Sequence, residues 1–429
     1  MVGGIDPNQP HCPEIAQAGF LTPGQRGENG RAKYNSNPVD GAPLSDRWPR
    51  IPIELRLVVV ALGFRLVGAV VGFFANITMP DYQDQGFTVF SSPNQFWDRF
   101  ARYDAGWYHG IASTGYAFVE GGRSNLAFFP LYPTLMGVGG RLLGGAQEDF
   151  YFAGIVISWA AFVLAMPLLY RLALLDLPRD SAIRATTFAA VFPSAYFFGV
   201  VYSESLFLLT LVGAVLALRT QRWGWAIAAG AAMTATRVNG VMFVPALAWI
   251  AWQSAPATTK DRTWAMVAVA CSTLGIAAYS VFNYRLSGNP FEWYDAIVRW
   301  GYHPGGNPVG GLYAIGVALV NRPMQFLATE RMAPYDTLNA LVATFAICLV
   351  PVIWKRLGLG YALVVVLGLA LPLSSGQYEG LGRYCAVLFP IPIWLGSLRG
   401  EARLTWLVAC FVLFYTLGLV LFGNVHPLF

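Results

Sequence analysis

Apolar residues in this chain gather into long runs separated by short polar turns. The runs fall at about 51–76, 150–174, 184–200, 205–219, 223–236, 239–252, 263–285, 336–354, 357–373, 384–398 and 404–423. A helix needs roughly 20 apolar residues to cross a bilayer. The pattern therefore predicts an all-α polytopic membrane protein with about 11 transmembrane helices, some short enough to need tilt or a local break. Residues 1–50 are rich in Gly, Pro, Asn and Asp, with neither an apolar core nor the hydrophobic region of a signal peptide. They read as a disordered cytoplasmic tail, ahead of a single transmembrane module over 51–429.

Orientation follows from the basic residues, which favour cytoplasmic loops. With Arg26, Arg31, Lys33, Arg47 and Arg50 of the tail inside, alternate turns carry Arg179 and Arg184, Arg219 and Arg222, Lys260 and Arg262, Lys355 and Arg356, and Arg399 and Arg403. This assignment holds if residues 128–145, which begin with Pro130 and Pro133 and carry Arg141, form a helix lying at the outer interface. Residues 77–149 then make a first extracytoplasmic loop and 286–335 a second. Long loops in compact folds tend to be functional, so the chemistry is expected outside.

Composition agrees and narrows the classes. The chain has 429 residues, 56% hydrophobic and 12% charged, against about 25% charged in soluble domains; mean hydropathy is +0.50. The net charge of +5 is dispersed, which argues against nucleic-acid binding. Only three lysines occur, Lys33, Lys260 and Lys355, a bias associated with GC-rich bacterial genomes and hence with a bacterial plasma membrane. Cys12 lies in the tail, and Cys271, Cys348, Cys385 and Cys410 lie in apolar runs without zinc-like spacing.

The most informative stretch is Trp97–Tyr116, WDRFARYDAGWYHGIASTGY. Asp104 begins a short expected helix that places Trp107, Tyr108 and Ile111 on one apolar face. Its carboxylate reads either as a helix cap or as a general base toward a sugar hydroxyl. His109, five residues on, lies about 140° away around a helix, which disfavours a joint metal site. Glu204, in Tyr202-Ser203-Glu204-Ser205, reads as a cap of the following span or as a group orienting an acceptor.

Four ordered stretches resemble the GPI mannosyltransferase II (PIG-V) family, within the GT-C membrane glycosyltransferases. They are Trp97–Pro133, with Tyr103-Asp104 and Ala127-Phe128-Phe129-Pro130; Pro193–Phe207; Ala235–Val241; and Gly382–Gly396. Tyr103 stands where the family pattern has Trp. The resemblance implies a GT-C-like fold, a polyprenyl- or dolichyl-phosphate mannose donor, inversion, and Asp104 as the catalytic base.

A lipid-phosphate leaving group needs positive charge. The chain has no DxD and no Walker or GxGxxG loop, and arginine suits phosphate. Arg237 and Arg383 lie at outer helix ends, where they either grip the donor phosphate with Asn239 or pair with Glu204 or Glu379. Tyr103, Trp107, Tyr108, His109, Tyr202 and Glu204 complete the candidate substrate-binding set. The aromatic stretch Phe291–Tyr302 suits sugar stacking or interfacial anchoring, and His303 has no evident ligand partner. No metal and no cofactor are expected. The expected partners are the lipid-linked donor, a glycolipid, lipoglycan or protein acceptor and membrane lipids, and an accessory subunit is compatible with the sequence. Two alternatives stay open. One is the same mechanism with another polyprenyl-linked sugar. The other is a lipid or sugar transporter, for which Arg65 inside the first span is the suitable ionisable group; its other reading is a structural pairing with a neighbouring helix. Paired half-sequence repeats, which a transporter often shows, are not evident.

Overall fold

A computed structural model of the chain describes residues 51–429 apart from 83–87, 92, 257, 304, 377, 379 and 429. The tail of residues 1–50, with Cys12, and Glu379 lie outside the described residues. Every regular element described is helical, as the apolar runs predict.

The first helix, α1 (Ile53–Thr78), exposes Val59, Val60, Val67 and Phe74 along one side and buries Ala61, Gly68, Ala69, Gly72 and Ala75 on the other. Small residues let helix backbones approach closely within a membrane. That face packs on α4 (Gln147–Ala173) and on the last helix of the chain, Glu401–Gly423. Between α1 and α4 lie α2 (Asp104–Thr114) and α3 (Leu131–Leu143). With 13 residues, α3 is about 20 Å long, short of the ~30 Å hydrocarbon core. It buries Tyr132, Met136 and Gly140 and exposes Leu135, Val138 and Leu142, the one-sided pattern expected of an interfacial helix.

The middle of the chain is built from interrupted helices. α5 (Arg179–Val191) stops before Pro193, and a 3₁₀ turn at Ala195–Gly199 leads to α6 (Glu204–Arg219). Then follow α7 (Trp223–Thr236), α8 (Asn239–Met242), α9 (Val244–Ser254), α10 (Thr259–Cys271) and α11 (Leu274–Ser287). Proline ends α5 because it cannot donate to the helical ladder. Irregular backbone at membrane depth is tolerated only where protein covers it and satisfies its polar groups. Here Arg65 donates to the Ala195 carbonyl (2.8 Å), Trp159 to Gly199 (2.9 Å) and Ser205 to Phe198 (2.8 Å). Arg65 is thus used structurally: its guanidinium also lies 3.9 Å from the centre of the Phe162 ring.

The expected second outer loop, residues 286–335, has regular structure. It folds into α12 (Glu292–Arg299), α13 (Gly310–Asn321) and α14 (Pro323–Thr329). Beyond it come α15 (Ala333–Leu357), α16 (Leu359–Ser374), α17 (Leu381–Ala386), α18 (Pro390–Gly396) and α19 (Glu401–Gly423). Among the described residues, five helical stretches are long and apolar enough to cross a membrane: Ile53–Thr78, Gln147–Ala173, Thr259–Ser287, Ala333–Leu357 and Glu401–Gly423. The remaining apolar runs form shorter or broken helices packed among them.

Candidate active site

Four chain segments, each fixed by local backbone features, converge at one end of the bundle. Tyr103 precedes α2 with φ +49°, a region that non-glycine residues enter at a cost of about 1–3 kcal/mol. This bend starts α2 at Asp104, whose backbone N–H points at the Tyr202 hydroxyl (3.4 Å). The buried Phe192–Glu204 stretch presents Tyr202, Ser203 and Glu204 at the start of α6. Arg237 and Asn239 sit in the reversal between α7 and α8. Gly240 makes that reversal feasible: a Cβ there would stand 2.8 Å from the Met233 carbonyl oxygen. Arg383 lies on α17, which begins after Gly380 (φ +71°) and is anchored by the Gly382 N–H donating to Asn339 Oδ1 (2.8 Å).

The carboxylates are not used as helix caps. Neither Asp104 nor Glu204 bonds its own helix start. Asp104 Oδ2 accepts from Arg383 Nη1 at 2.6 Å, and Glu204 Oε1 accepts from Arg237 Nη1. Glu204 Oε1 is also 3.8 Å from Arg383 Nε, so one buried carboxylate faces both guanidiniums. Arg237 donates further to Ser203 Oγ (3.3 Å), which bonds the Tyr108 hydroxyl (2.9 Å). Tyr384 lies beneath both arginines, 5.1 Å from Arg237 and 5.6 Å from Arg383. Burial alone would lower the pKa of either arginine. Glu204 outweighs it at Arg237, and Asp104, Tyr384 and Glu204 outweigh it at Arg383, so both are held above the usual arginine value. Both stay charged at any working pH.

These groups border a cavity of roughly 150 Å³. Asp104, Tyr108, Arg237, Asn239 and Arg383 line its polar side; Phe128, Phe129, Ile297, Trp300 and Leu371 line the apolar side. Three buried polar atoms of the site make no hydrogen bond: Arg383 Nε, Asn239 Nδ2 and Glu204 Oε2. Buried unsatisfied groups are rare enough to need an explanation. The first two are donors on residues that line the cavity.

Of the sequence candidates, Asp104, Arg237, Arg383, Asn239 and Tyr108 meet at this cavity. Glu204 and Tyr202 lie directly behind its wall, each buried. Tyr103 turns its ring toward Phe422 (5.8 Å). Trp107 stacks on Phe128 and meets Trp300 edge-on at 4.7 Å, so it supports the lining without joining it. His109 stacks on Tyr151, with ring centres 4.6 Å apart, away from the cavity. The sequence reading missed Tyr384 and Tyr302, both in the lining. Tyr384 was signalled only by adjacency to Arg383, and Tyr302 only by ending the aromatic stretch.

Five helices of membrane length and an acid–arginine cavity at one end of the bundle define a polytopic membrane protein with a candidate active site. The family model described as mannosyltransferase (PIG-V) matches residues 74–282, just under half of the chain. The match includes Asp104, Glu204, Arg237 and Asn239; Arg383 lies beyond it. No curated protein matches the chain as a relative. Among solved structures, the apo oligosaccharyltransferase of Archaeoglobus fulgidus is similar at 12% identity and a TM-score of 0.47, over 89% of this chain and 57% of that one. The archaeal oligosaccharyltransferase AglB from Archaeoglobus fulgidus, in complex with an inhibitory peptide and a dolichol-phosphate, gives 12% identity and 0.45 over 88% and 56%. ArnT from Cupriavidus metallidurans bound to undecaprenyl phosphate gives 12% identity and 0.46, over 86% and 77%. The chain thus spans little more than half the length of the oligosaccharyltransferase.

Proposed function

We propose that the protein is an inverting glycosyltransferase that moves mannose from a polyprenyl- or dolichyl-phosphate carrier to a hydroxyl of a glycolipid, lipoglycan or protein. The reaction takes place at the extracytoplasmic face. The observation that carries this reading is the convergence of Asp104, Arg237, Asn239 and Arg383 on one cavity, from three separate segments of the chain.

In this mechanism Asp104 takes the proton of the acceptor hydroxyl as its oxygen attacks the anomeric carbon. The bond from that carbon to the phosphate oxygen breaks in the same displacement, and the electron pair stays on the phosphate. Arg237, Arg383 and the Asn239 amide receive that charge, an electrostatic stabilisation aimed at where charge develops. The guanidinium fork suits phosphate oxygens, so no metal is required. The aromatic wall of Phe128, Phe129 and Trp300 offers the sugar an apolar face.

The test uses the full chain in nanodiscs with radiolabelled β-linked polyprenyl-phosphate mannose and total membrane lipid as acceptor. Label should move to new products with wild type, survive EDTA, and stay on the donor with Asp104→Asn. A wild type that fails to bind the donor would refute the assignment and bring the transport reading forward. Competition with arabinose- or glucose-linked carriers fixes the sugar.

A further inference from the structure

The four ionised side chains of the site carry no net charge: Arg237 and Arg383 face Asp104 and Glu204. An anion entering the cavity therefore finds no free positive charge. The two carboxylates stand differently toward it. The Glu204 side chain is 1% exposed and sits behind the wall, held by Arg237. The Asp104 side chain is 25% exposed, borders the cavity and holds Arg383 Nη1 at 2.6 Å. Of the two counter-ions of Arg383, one is walled in and one can move.

We propose that the donor phosphate takes the place of Asp104 on Arg383, while Glu204 acts as the positioning residue that keeps both guanidiniums in place during the exchange. The inference rests on the donor-phosphate reading above and adds an order of events to it. A carboxylate oxygen engaged by a guanidinium is not available to the acceptor proton. When the phosphate takes over Arg383, the base is released in the same step, so donor binding and unmasking of the base are one event. An acceptor arriving first finds Asp104 Oδ2 held by Arg383 and only Oδ1 open, so the exchange favours binding with donor first.

Turnover then resets the site. The acceptor proton passes to Asp104, the glycosyl–oxygen bond to phosphate breaks, and the leaving phosphate gains a negative charge that strengthens its hold on the arginines. Once Asp104 gives its proton to water, the carboxylate competes again for Arg383 and favours release of the carrier phosphate. By thermodynamic linkage, whatever the phosphate does to Asp104, Asp104 does to the phosphate.

This reciprocity gives a test that does not depend on turnover. The probe is farnesyl methyl phosphodiester, which carries one negative charge and no sugar, and its equilibrium binding is measured on the full chain in nanodiscs. Asp104→Asn removes the competing charge and should bind the probe about tenfold more tightly than wild type, about 1.4 kcal/mol. Arg383→Gln should bind it at least tenfold more weakly. Should Asp104→Asn fail to fold, Asp104→Ser removes the same charge and carries the same expectation. Unchanged or weaker binding in the Asp104 variant, with binding still lost in Arg383→Gln, would overturn the exchange and leave the donor-phosphate reading standing. Unchanged binding in both Arg383→Gln and Arg237→Gln would overturn that reading and the exchange with it.

Discussion

Helix α6 carries an arginine–carboxylate–tyrosine group at each end, and the two groups differ in what surrounds them. At its start, Glu204 faces Arg237 and Arg383, with Asp104 and Tyr384 beside them. At its end, about 22 Å away along the axis, Arg219 pairs with Asp176 and donates to the Tyr361 hydroxyl at 2.8 Å. The side-chain types are the same. Exposure of the outer carboxylate does not separate the groups either: Asp104 is 25% exposed and Asp176 is 22%. What separates them is an adjoining cavity, a second arginine, and a walled-in glutamate that fixes both cations. The Arg219 group staples helix ends, whereas the group at the start of α6 has the surroundings that the proposed exchange of a partner needs.

The largest expected effect tests the outer group directly. Asp104→Asn keeps the size of the side chain and removes the proposed base, a role worth about 10²- to 10⁴-fold. Mannosyl transfer per folded molecule should fall by that factor, measured as label transfer from the radiolabelled donor. A loss below tenfold would demote Asp104 to a structural role.

Next in size is Arg237. Removing one partner of a buried pair strands the other charge, which costs about 3–5 kcal/mol. Arg237→Ala should therefore lower the unfolding free energy by that amount, because Glu204 is left facing only Arg383, at 3.8 Å. Adding Glu204→Gln should restore most of the stability and none of the donor affinity. Such a double-mutant cycle separates the two functions of the arginine. If the double variant regained donor affinity as well, Arg237 would serve only to neutralise Glu204.

The matching change at the other end should be small. Partly exposed ion pairs contribute about 0–1 kcal/mol. Arg219→Ala should thus shift the unfolding free energy by less than about 1 kcal/mol and leave turnover within twofold of wild type. A larger loss of activity than of stability would show that the far end of α6 communicates with the site.

Much of this contrast was legible in the sequence, and the reasons differ by residue. Asp104 stood out because a carboxylate in an apolar, aromatic stretch has few uses and because the surrounding motif resembles a known family. Arg237 and Arg383 stood out as basic residues at ends where the charge rule disfavours them. Their partners were harder. Asp104 and Arg383 are 279 residues apart, and no local pattern announces a contact at that separation. Glu204 reads from the sequence as an acceptor-orienting group, a cap or an ion-pair partner of Arg237 or Arg383, and its carboxylate turns away from the backbone to the arginines. The expected second outer loop is three short helices, since its Gly- and Pro-rich sequence masks the apolar run of α13. Arg65 was open between a transport path and a structural pairing. Its contacts with a carbonyl and a ring face show why it is needed: the break at Pro193 leaves carbonyls that something must satisfy.

His109 offers the finest test of where the site ends, because it shares α2 with Asp104 and faces the other way. Its ring stacks on Tyr151, and burial pushes its pKa below the ordinary 6.5. A histidine with a depressed folded-state pKa contributes stability that is present above 6.5 and is lost as pH falls through the folded value. Wild-type protein should therefore lose thermal stability as pH drops below about 6.5, and His109→Gln should lose less over the same interval. Transfer activity at pH 7.5 should stay within about twofold of wild type, since the ring does not border the cavity. A His109→Gln enzyme that kept its stability profile and lost activity would place the histidine in the reaction, and the boundary between working face and packing face of α2 would have to be redrawn.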